Sequence, residues 1–279
     1  MYMEATLFSA MLQKHQGAFH PVVPFDPGTD KLYPLDFTGN NKELDAGQIA
    51  DTERFAVYIN KLLSRHGCKY GIGGYGEHRT LYARSKYFDS HAKAPSGPGG
   101  EGGPRSEGGP GTKAGQGKGG PGTEGGAKGG AGPDEQEPRR LHLGVDIWGP
   151  AGTKVMAPLN GIIHSFAFNN NDSDYGATLI LTHNIAGTGL HTLYGHLSLN
   201  SLKNLYEGKN ISRGEVIGEF GMRFENGNWP PHLHFQLIRD MQGWKGDFPG
   251  VCQFSQRAQW LENCPDPDLV LQMNRYLRA

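Results

Sequence analysis

The sequence predicts a mainly β protein: a small antiparallel β-sandwich or barrel-like core with a partly helical N-terminal segment and a disordered Gly-rich insertion. Over residues 141–250, short runs rich in Val, Ile, Leu, Phe and Thr recur between turn-forming Gly, Pro and Asn residues. No long amphipathic stripe lies between these runs, whereas a parallel βαβ fold needs a helix after each strand. The predicted strands span residues 154–157, 161–168, 177–183, 191–196, 216–220 and 233–238.

The N-terminal segment, residues 1–94, predicts one helix over residues 46–65. Thr52 and the acidic residue after it suit a first helical turn. The Pro-rich run 21–34 ahead of this helix predicts irregular chain. The apolar residues of the helix recur at helical spacing: Ile49, Phe55, Ile59, Leu62 and Leu63.

Residues 71–76 match G-x-G-x-x-G, the pattern of a dinucleotide-binding loop. Such a loop follows a strand and opens a helix. Here a helix is predicted before the glycines, and no helical apolar stripe follows them. We therefore interpret residues 71–76 as a flexible turn.

Residues 95–133 hold 18 of the 43 glycines and six prolines, with no aromatic residue and no aliphatic residue larger than Ala. Such a stretch cannot bury enough apolar surface to offset the entropy of ordering it, which predicts disorder. We favour an insertion at a surface loop over a linker between domains. The predicted organisation is an N-terminal segment (1–94), a Gly/Pro-rich segment (95–140), a β domain (141–250) and a C-terminal tail (251–279) that is helical over 256–261 and 269–277.

Composition excludes several classes of protein. A net charge of −1 over 279 residues gives no general attraction to nucleic acid, and no apolar run is long enough to predict a membrane span. Three cysteines, Cys68, Cys252 and Cys264, are too few for a disulfide framework, so reduced thiols are expected. No basic region with an apolar stretch opens the chain, which as written predicts a cytoplasmic location, or an extracytoplasmic one if a leader lies outside this sequence.

Three short motifs in the β region carry side chains that bind metals or move protons. Side chains at even offsets share a face of a strand, so His232 and His234 point the same way, as do His142 and Asp146 in extended chain. Imidazole and carboxylate are ligands of catalytic zinc, which typically keeps one position for water. The motifs are His142-Leu143-Gly144-Val145-Asp146, Tyr194-Gly195-His196-Leu197-Ser198 and His232-Leu233-His234-Phe235.

These motifs resemble those of the lysostaphin/LytM-type zinc metallopeptidases, the M23 family of peptidoglycan endopeptidases. The resemblance covers about residues 141–240 and implies that His142, Asp146 and His234 hold the metal. It implies that His196 and His232 are the catalytic histidines, which handle the water or stabilise the oxyanion; the sequence does not rank the two. The flanks also agree: Gly149-Pro150-Ala151-Gly152-Thr153, Ala157-Pro158-Leu159-Asn160-Gly161 and the proline before His232.

The resemblance implies a zinc-dependent endopeptidase that hydrolyses a peptidoglycan cross-bridge or stem peptide through a metal-activated water. The alternative is a cytoplasmic module of the same fold that binds or processes a small peptide or amino-acid conjugate. A structural zinc site is a third interpretation, but a fourth protein ligand would close it and it would not need His196 or His232. We expect Zn²⁺ as the cofactor, a peptide or peptidoglycan substrate, no nucleic acid partner, no membrane span and a monomer.

Other candidate residues are interpreted as structural. A single His in a strand is usually a hydrogen-bonded structural residue, which we expect for His164, His183 and His191; the last two are also candidates to orient a ligand. We expect Tyr194 in the core and Trp229 at the rim of the cleft.

Residues 172–176 suggest a calcium loop through Asp172, Asp174 and Gly176, but the Glu that ends such a loop is missing. We interpret this stretch as a solvated hairpin turn.

Overall fold

The computed structural model describes residues 2–89 and 137–277, with side chains from residue 6 onward. The helices are α1 (Tyr2–Lys14), α2 (Ala46–Ala50), α3 (Thr52–His66), α4 (Arg257–Asn263) and α5 (Asp268–Leu271). The strands are β1 (Leu32–Leu35), β2 (Tyr70–Gly73), β3 (Arg139–His142), β4 (Val145–Trp148), β5 (Lys154–Met156), β6 (Gly161–Asn169), β7 (Gly176–Ile185), β8 (Thr188–Leu197), β9 (Asn210–Ile211), β10 (Val216–Glu219), β11 (His232–Ile238) and β12 (Val251–Gln253). The disorder predicted for residues 95–133 lies outside the described residues.

One eight-stranded sheet with the order β1-β2-β4-β11-β8-β7-β6-β9 organises the described chain. Its neighbours pair antiparallel except β1 with β2. Two small sheets, β10-β5 and β12-β3, flank it. The prediction of a mainly β, mostly antiparallel core is confirmed, and each predicted strand is present within three residues of its predicted ends.

The N-terminal segment contributes directly to this sheet. Strand β2 pairs with β4 and places Gly73 opposite Asp146. The rings of Phe37 and Phe55 lie 5.4 and 5.6 Å from the indole of Trp148, measured between centroids. The first part of the chain and the β region that follows therefore share one hydrophobic core.

The continuous helix predicted over residues 46–65 is wrong, because Asp51 separates α2 from α3. Its backbone is extended, with a ψ of 111°, and its carboxylate accepts hydrogen bonds from the amides of Glu53 and Arg54. This is an N-cap, which satisfies amides that have no partner inside the helix. Asp45 caps α2 in the same way.

The flexible turn predicted at residues 71–76 is also wrong in its first half, because β2 is a buried strand. A Cβ on Gly71 would lie 2.4 Å from Leu35 Cδ1, and one on Gly73 would lie 2.8 Å from Arg79 Nη2. Glycine is required here because neighbouring groups approach the backbone closely.

Both ends of the described chain pack on the sheet. Helix α1, which no pattern predicted, buries Phe8 and Leu12 in the same core as Val270 and Met273 of the C-terminal tail. The irregular chain predicted for residues 21–34 is wrong at its end, because β1 begins at Leu32. No helix within residues 2–89 and 137–277 is long and apolar enough to cross a bilayer.

Candidate metal centre

The three predicted ligands meet where the end of β3 approaches strands β4 and β11 of the main sheet. His142 ends β3, Asp146 lies in β4, and His234 of β11 stands opposite Asp146 in the antiparallel register. His142 Nε2 lies 3.0 Å from His234 Nδ1 and 3.2 Å from Asp146 Oδ1. His234 Nδ1 lies 3.1 Å from the same oxygen. A Cβ on Gly144 would come within 2.5 Å of the His234 ring, so glycine at this position leaves room for that imidazole.

Hydrogen bonds on the far side of each imidazole fix which ring nitrogen carries the proton. His142 Nδ1 lies 2.9 Å from the carbonyl oxygen of Gly74, which can only accept, so Nδ1 is the donor. The Gln236 amide donates to the Pro249 carbonyl at 3.1 Å, which turns its Oε1 toward His234 Nε2 at 2.9 Å. His142 Nε2 and His234 Nδ1 are therefore the ring nitrogens that face the shared carboxylate oxygen.

The charge states agree with this assignment. Burial and the neighbouring guanidinium of Arg79 lower the pKa of His142 to about 4, so the imidazole is neutral at neutral pH. Burial alone would raise the pKa of Asp146, but His142 and Arg79 outweigh it and hold that pKa well below its usual range. An ionised carboxylate thus lies beside the neutral imidazole of His142.

The chemistry of these donors fits a metal ion. His142, Asp146 and His234 form a group whose ligand atoms lie close enough together to hold one ion, and these residues are 0, 3 and 3% exposed. Three electron-rich atoms out of contact with water repel one another, and a cation among them offsets both that repulsion and their lost solvation. Two histidines with one carboxylate resemble the ligand set of a catalytic zinc more than the four protein ligands of a structural zinc.

His196 and His232 line the same pocket as Asp146 and His234. Their ring centroids are 4.1 Å apart. Each Nδ1 lies 2.8 Å from a backbone carbonyl oxygen, that of Asn226 for His196 and that of Pro230 for His232, so each Nδ1 carries a proton. Burial lowers the pKa of both imidazoles, that of His232 to about 4, which leaves a neutral ring with a lone pair on Nε2.

The backbone at His196 is strained. Its φ is 61°, in the left-handed region that non-glycine residues rarely occupy. The amide of His196 donates to the Tyr175 carbonyl, and the amide of Gly221 donates to the His196 carbonyl. These bonds hold the residue in a conformation of the kind that clusters at functional sites.

Arg79 and Gly74 also belong to this centre, and sequence reasoning missed both. Arg79 Nη1 donates to Asp146 Oδ2 at 2.5 Å across 67 residues of chain. The carbonyl oxygen of Gly74 accepts from Arg79 Nη2 at 3.1 Å as well as from His142 Nδ1. The run of glycines at residues 71–76 could have indicated a close backbone approach, but no spacing links Arg79 to its partner.

The walls of the pocket come from several parts of the chain. Leu81, Tyr82, Tyr87 and Phe88 of the N-terminal segment line it. Asp174 lines it too and is 4% exposed, so the solvated turn predicted at residues 172–176 is wrong there. Trp229, which we expect at the rim of the cleft, lines the pocket and is 4% exposed.

The remaining histidines of the β region have partners away from the metal ligands. His183 bonds to Thr192 Oγ1 at 2.7 Å and to the Asn160 carbonyl at 2.9 Å. His164 and His191 face each other with ring centroids 5.3 Å apart. These contacts agree with the structural roles expected for all three.

The three cysteines are free thiols, with Cys252 and Cys264 buried.

Comparison with known families identifies the region that carries the site. Residues 140–245 match the model of peptidase family M23. We refer to residues 140–245 as the M23 region. Four of the five predicted site residues lie in strands β3, β4 and β11, and all five fall within the match.

Curated relatives of the M23 region are named peptidases. The DD-carboxypeptidase/endopeptidase Mpg of Neisseria meningitidis serogroup B is 38% identical over 97 residues, which is 35% of this chain and 20% of that protein. The L-Ala--D-Glu endopeptidase of Bacillus subtilis is 28% identical over 107 residues, 37% of this chain and 31% of that protein. The match thus spans less than a third of the length of either relative.

Solved structures of peptidases are also similar to part of this chain. The catalytic domain of lysostaphin from Staphylococcus simulans is 26% identical, with a TM-score of 0.31, over 44% of this chain and 81% of that chain. A zinc-containing peptidase from Vibrio cholerae is 25% identical, with a TM-score of 0.30, over 39% of this chain and 32% of that chain.

Proposed function

We propose that this protein is a zinc-dependent endopeptidase that hydrolyses peptide bonds of peptidoglycan. The observation that carries the proposal is the convergence of His142 Nε2, Asp146 Oδ1 and His234 Nδ1 in one buried group. Peptidase relatives of the M23 region support the reaction class, and two of their names specify D-residues, which are characteristic of peptidoglycan peptides. In this proposal His142, Asp146 and His234 are the metal ligands.

The other two histidines, His196 and His232, are the candidates for proton transfer. Zinc in a site of this kind acts as a Lewis acid that polarises the scissile carbonyl and lowers the pKa of the attacking water. The basic atom of His196 and of His232 is Nε2, because Nδ1 of each donates to a backbone carbonyl. A neutral imidazole there accepts the proton of the water and returns it to the leaving amine. The stacked indole of Trp148 keeps the His232 ring in place.

A second candidate function is hydrolysis of a smaller peptide. The burial of the site residues within an aromatic pocket favours it. All five candidate site residues are at most 5% exposed. Tyr82, Tyr87 and Phe88 of the N-terminal segment stand around the same pocket as Trp229 and Phe248. A free peptide reaches such a site more easily than a strand of a cross-linked polymer does.

One experiment tests both candidates. The full chain, loaded with zinc, is incubated with intact peptidoglycan and with soluble stem and cross-bridge peptides, and the products are identified by mass spectrometry. The proposal expects cleavage of a peptide bond that stops on chelation and is lost in His232→Ala. Cleavage of the soluble peptides alone selects the second candidate, and no cleavage of any of them by the zinc-loaded chain contradicts both.

A further inference from the structure

Arg79 lies outside the M23 region but contacts one of its candidate metal ligands. We propose that Arg79 is a positioning residue of the metal centre, and that its guanidinium holds Asp146 with one carboxylate oxygen turned toward the two imidazoles. Through this orientation Arg79 sets the affinity of the site for its metal. The inference rests on the proposed function only in that His142, Asp146 and His234 bind a metal.

The guanidinium is held on several sides. The Arg79 side chain is 1% exposed, and its Nη1 donates to Asp146 Oδ2 at 2.5 Å. Nε donates to Glu77 Oε2 at 3.0 Å, and Nη2 donates to the Gly74 carbonyl at 3.1 Å. Nη1 also lies 3.2 Å from the hydroxyl of Tyr82. Because Arg79 holds Oδ2, the other oxygen of Asp146 is the one that faces the histidines.

The backbone of residues 73–79 brings Arg79 to this place. Gly73 lies opposite Asp146 in the register of β2 and β4. The chain then turns at Gly76, whose φ is 70° and whose amide donates to the His142 carbonyl at 2.9 Å. The amide of His142 donates back to the Glu77 carbonyl at 2.9 Å. The segment therefore passes both ligands at hydrogen-bond distance.

The glycines of this segment are needed for the approach. A Cβ on Gly73 would lie 2.8 Å from Arg79 Nη2 and 3.1 Å from the Phe37 ring. A Cβ on Gly74 would lie 2.8 Å from Glu77 Oε1. The G-x-G-x-x-G run that resembles a nucleotide loop in sequence thus has a different use here, which is to place one carbonyl and one arginine against the metal ligands.

The contribution of Arg79 is orientation more than charge. A guanidinium beside a cation site repels the cation, and the carboxylate of Glu77 on Arg79 Nε offsets part of that repulsion. The planar fork of arginine fixes the plane of a carboxylate, which a lysine ammonium does not do. Loss of a group that orients a metal ligand typically weakens metal binding by about 10- to 100-fold.

Equilibrium zinc binding tests the inference without any substrate. The metal-free full chain is titrated with Zn²⁺ against a chromophoric chelator, and its Co²⁺ absorption spectrum reports the ligand geometry. The variants are Arg79→Lys, which keeps the charge and loses the fork, and Arg79→Gln, which loses both. Arg140→Lys is the matched control, because Arg140 lies in β3 near His142 and pairs with Asp89 at 2.6 Å.

We expect zinc binding about 10-fold weaker in Arg79→Lys and about 100-fold weaker in Arg79→Gln, with an altered Co²⁺ spectrum and no change in Arg140→Lys. A merely structural role would lower the unfolding temperature of the metal-free protein and leave the zinc affinity unchanged. A folded Arg79→Lys that binds zinc as tightly as the wild type overturns the inference, even if Arg79→Gln does not fold. A wild type that binds no zinc overturns the proposed function as well, so the two failures are distinguishable.

Discussion

The imidazole of His232 lies flat on the indole of Trp148, with ring centroids 3.8 Å apart and ring planes 10° from parallel. Trp148 is 1% exposed and meets Phe37 and Phe55 edge-on. A continuous set of packed rings therefore joins helix α3 to a histidine of the candidate site. The N-terminal segment supports the M23 region through this shared core.

Removal of one ring from this set tests the shared core. We expect Phe55→Ala to lower the free energy of unfolding by about 3–5 kcal/mol, because Phe55 is fully buried against Trp148 and its loss leaves a cavity. Val57→Ala on the same helix is the control, since Val57 is 65% exposed, and its effect should stay within about 0.5 kcal/mol. Denaturant unfolding measures both. Equal stability of the two variants would show that α3 does not share the core.

Variants of the two histidines that do not bind the metal should lose turnover but keep the metal. We expect His196→Ala and His232→Ala to keep the zinc of the wild type while kcat falls by roughly 10² or more, because each removes a neutral imidazole that transfers protons. His164→Ala is the control, since His164 pairs with Ser165 and faces His191. Unchanged turnover in both site variants would refute the assigned roles.

Zinc should stabilise the folded chain. The three ligand atoms bind one cation only when the fold brings them together, so the metal favours the native state. At a free zinc concentration 100 times the dissociation constant, we expect about 2.7 kcal/mol of added stability. Thermal unfolding at increasing zinc measures this, and His234→Ala, which lacks one ligand, should show no such shift. A shift of the same size in that variant would mean that zinc acts elsewhere.

The β region and the grouping of His142, Asp146 and His234 could be predicted from the sequence because the signals there are local. Alternating apolar runs mark the strands, and His232 and His234 share a strand face through their spacing alone. His142 and Asp146 lie four residues apart, so one short turn between β3 and β4 brings them together. The three motifs are then joined by strand pairing, which sets His234 against Asp146.

The features that the sequence did not predict depend on contacts between distant segments. Arg79 reaches Asp146 across 67 residues, and nothing near Arg79 indicates a buried partner. Strand β2 is rich in glycine, which has low β propensity, and only the close approach of Leu35 and Arg79 explains its composition. Asp51 lies inside an apolar stripe that reads as continuous, but its carboxylate caps a new helix.

The zinc content of the purified full chain tests the central claim most directly. After loosely held metal is removed, elemental analysis of the wild type should find about one zinc per chain, and His142→Ala, Asp146→Ala and His234→Ala should each lose it. His183→Ala is the control and should retain it, because His183 bonds to Thr192 and Asn160. A wild type that holds no zinc after reconstitution, or ligand variants that hold as much as the wild type, would contradict a metal centre at His142, Asp146 and His234.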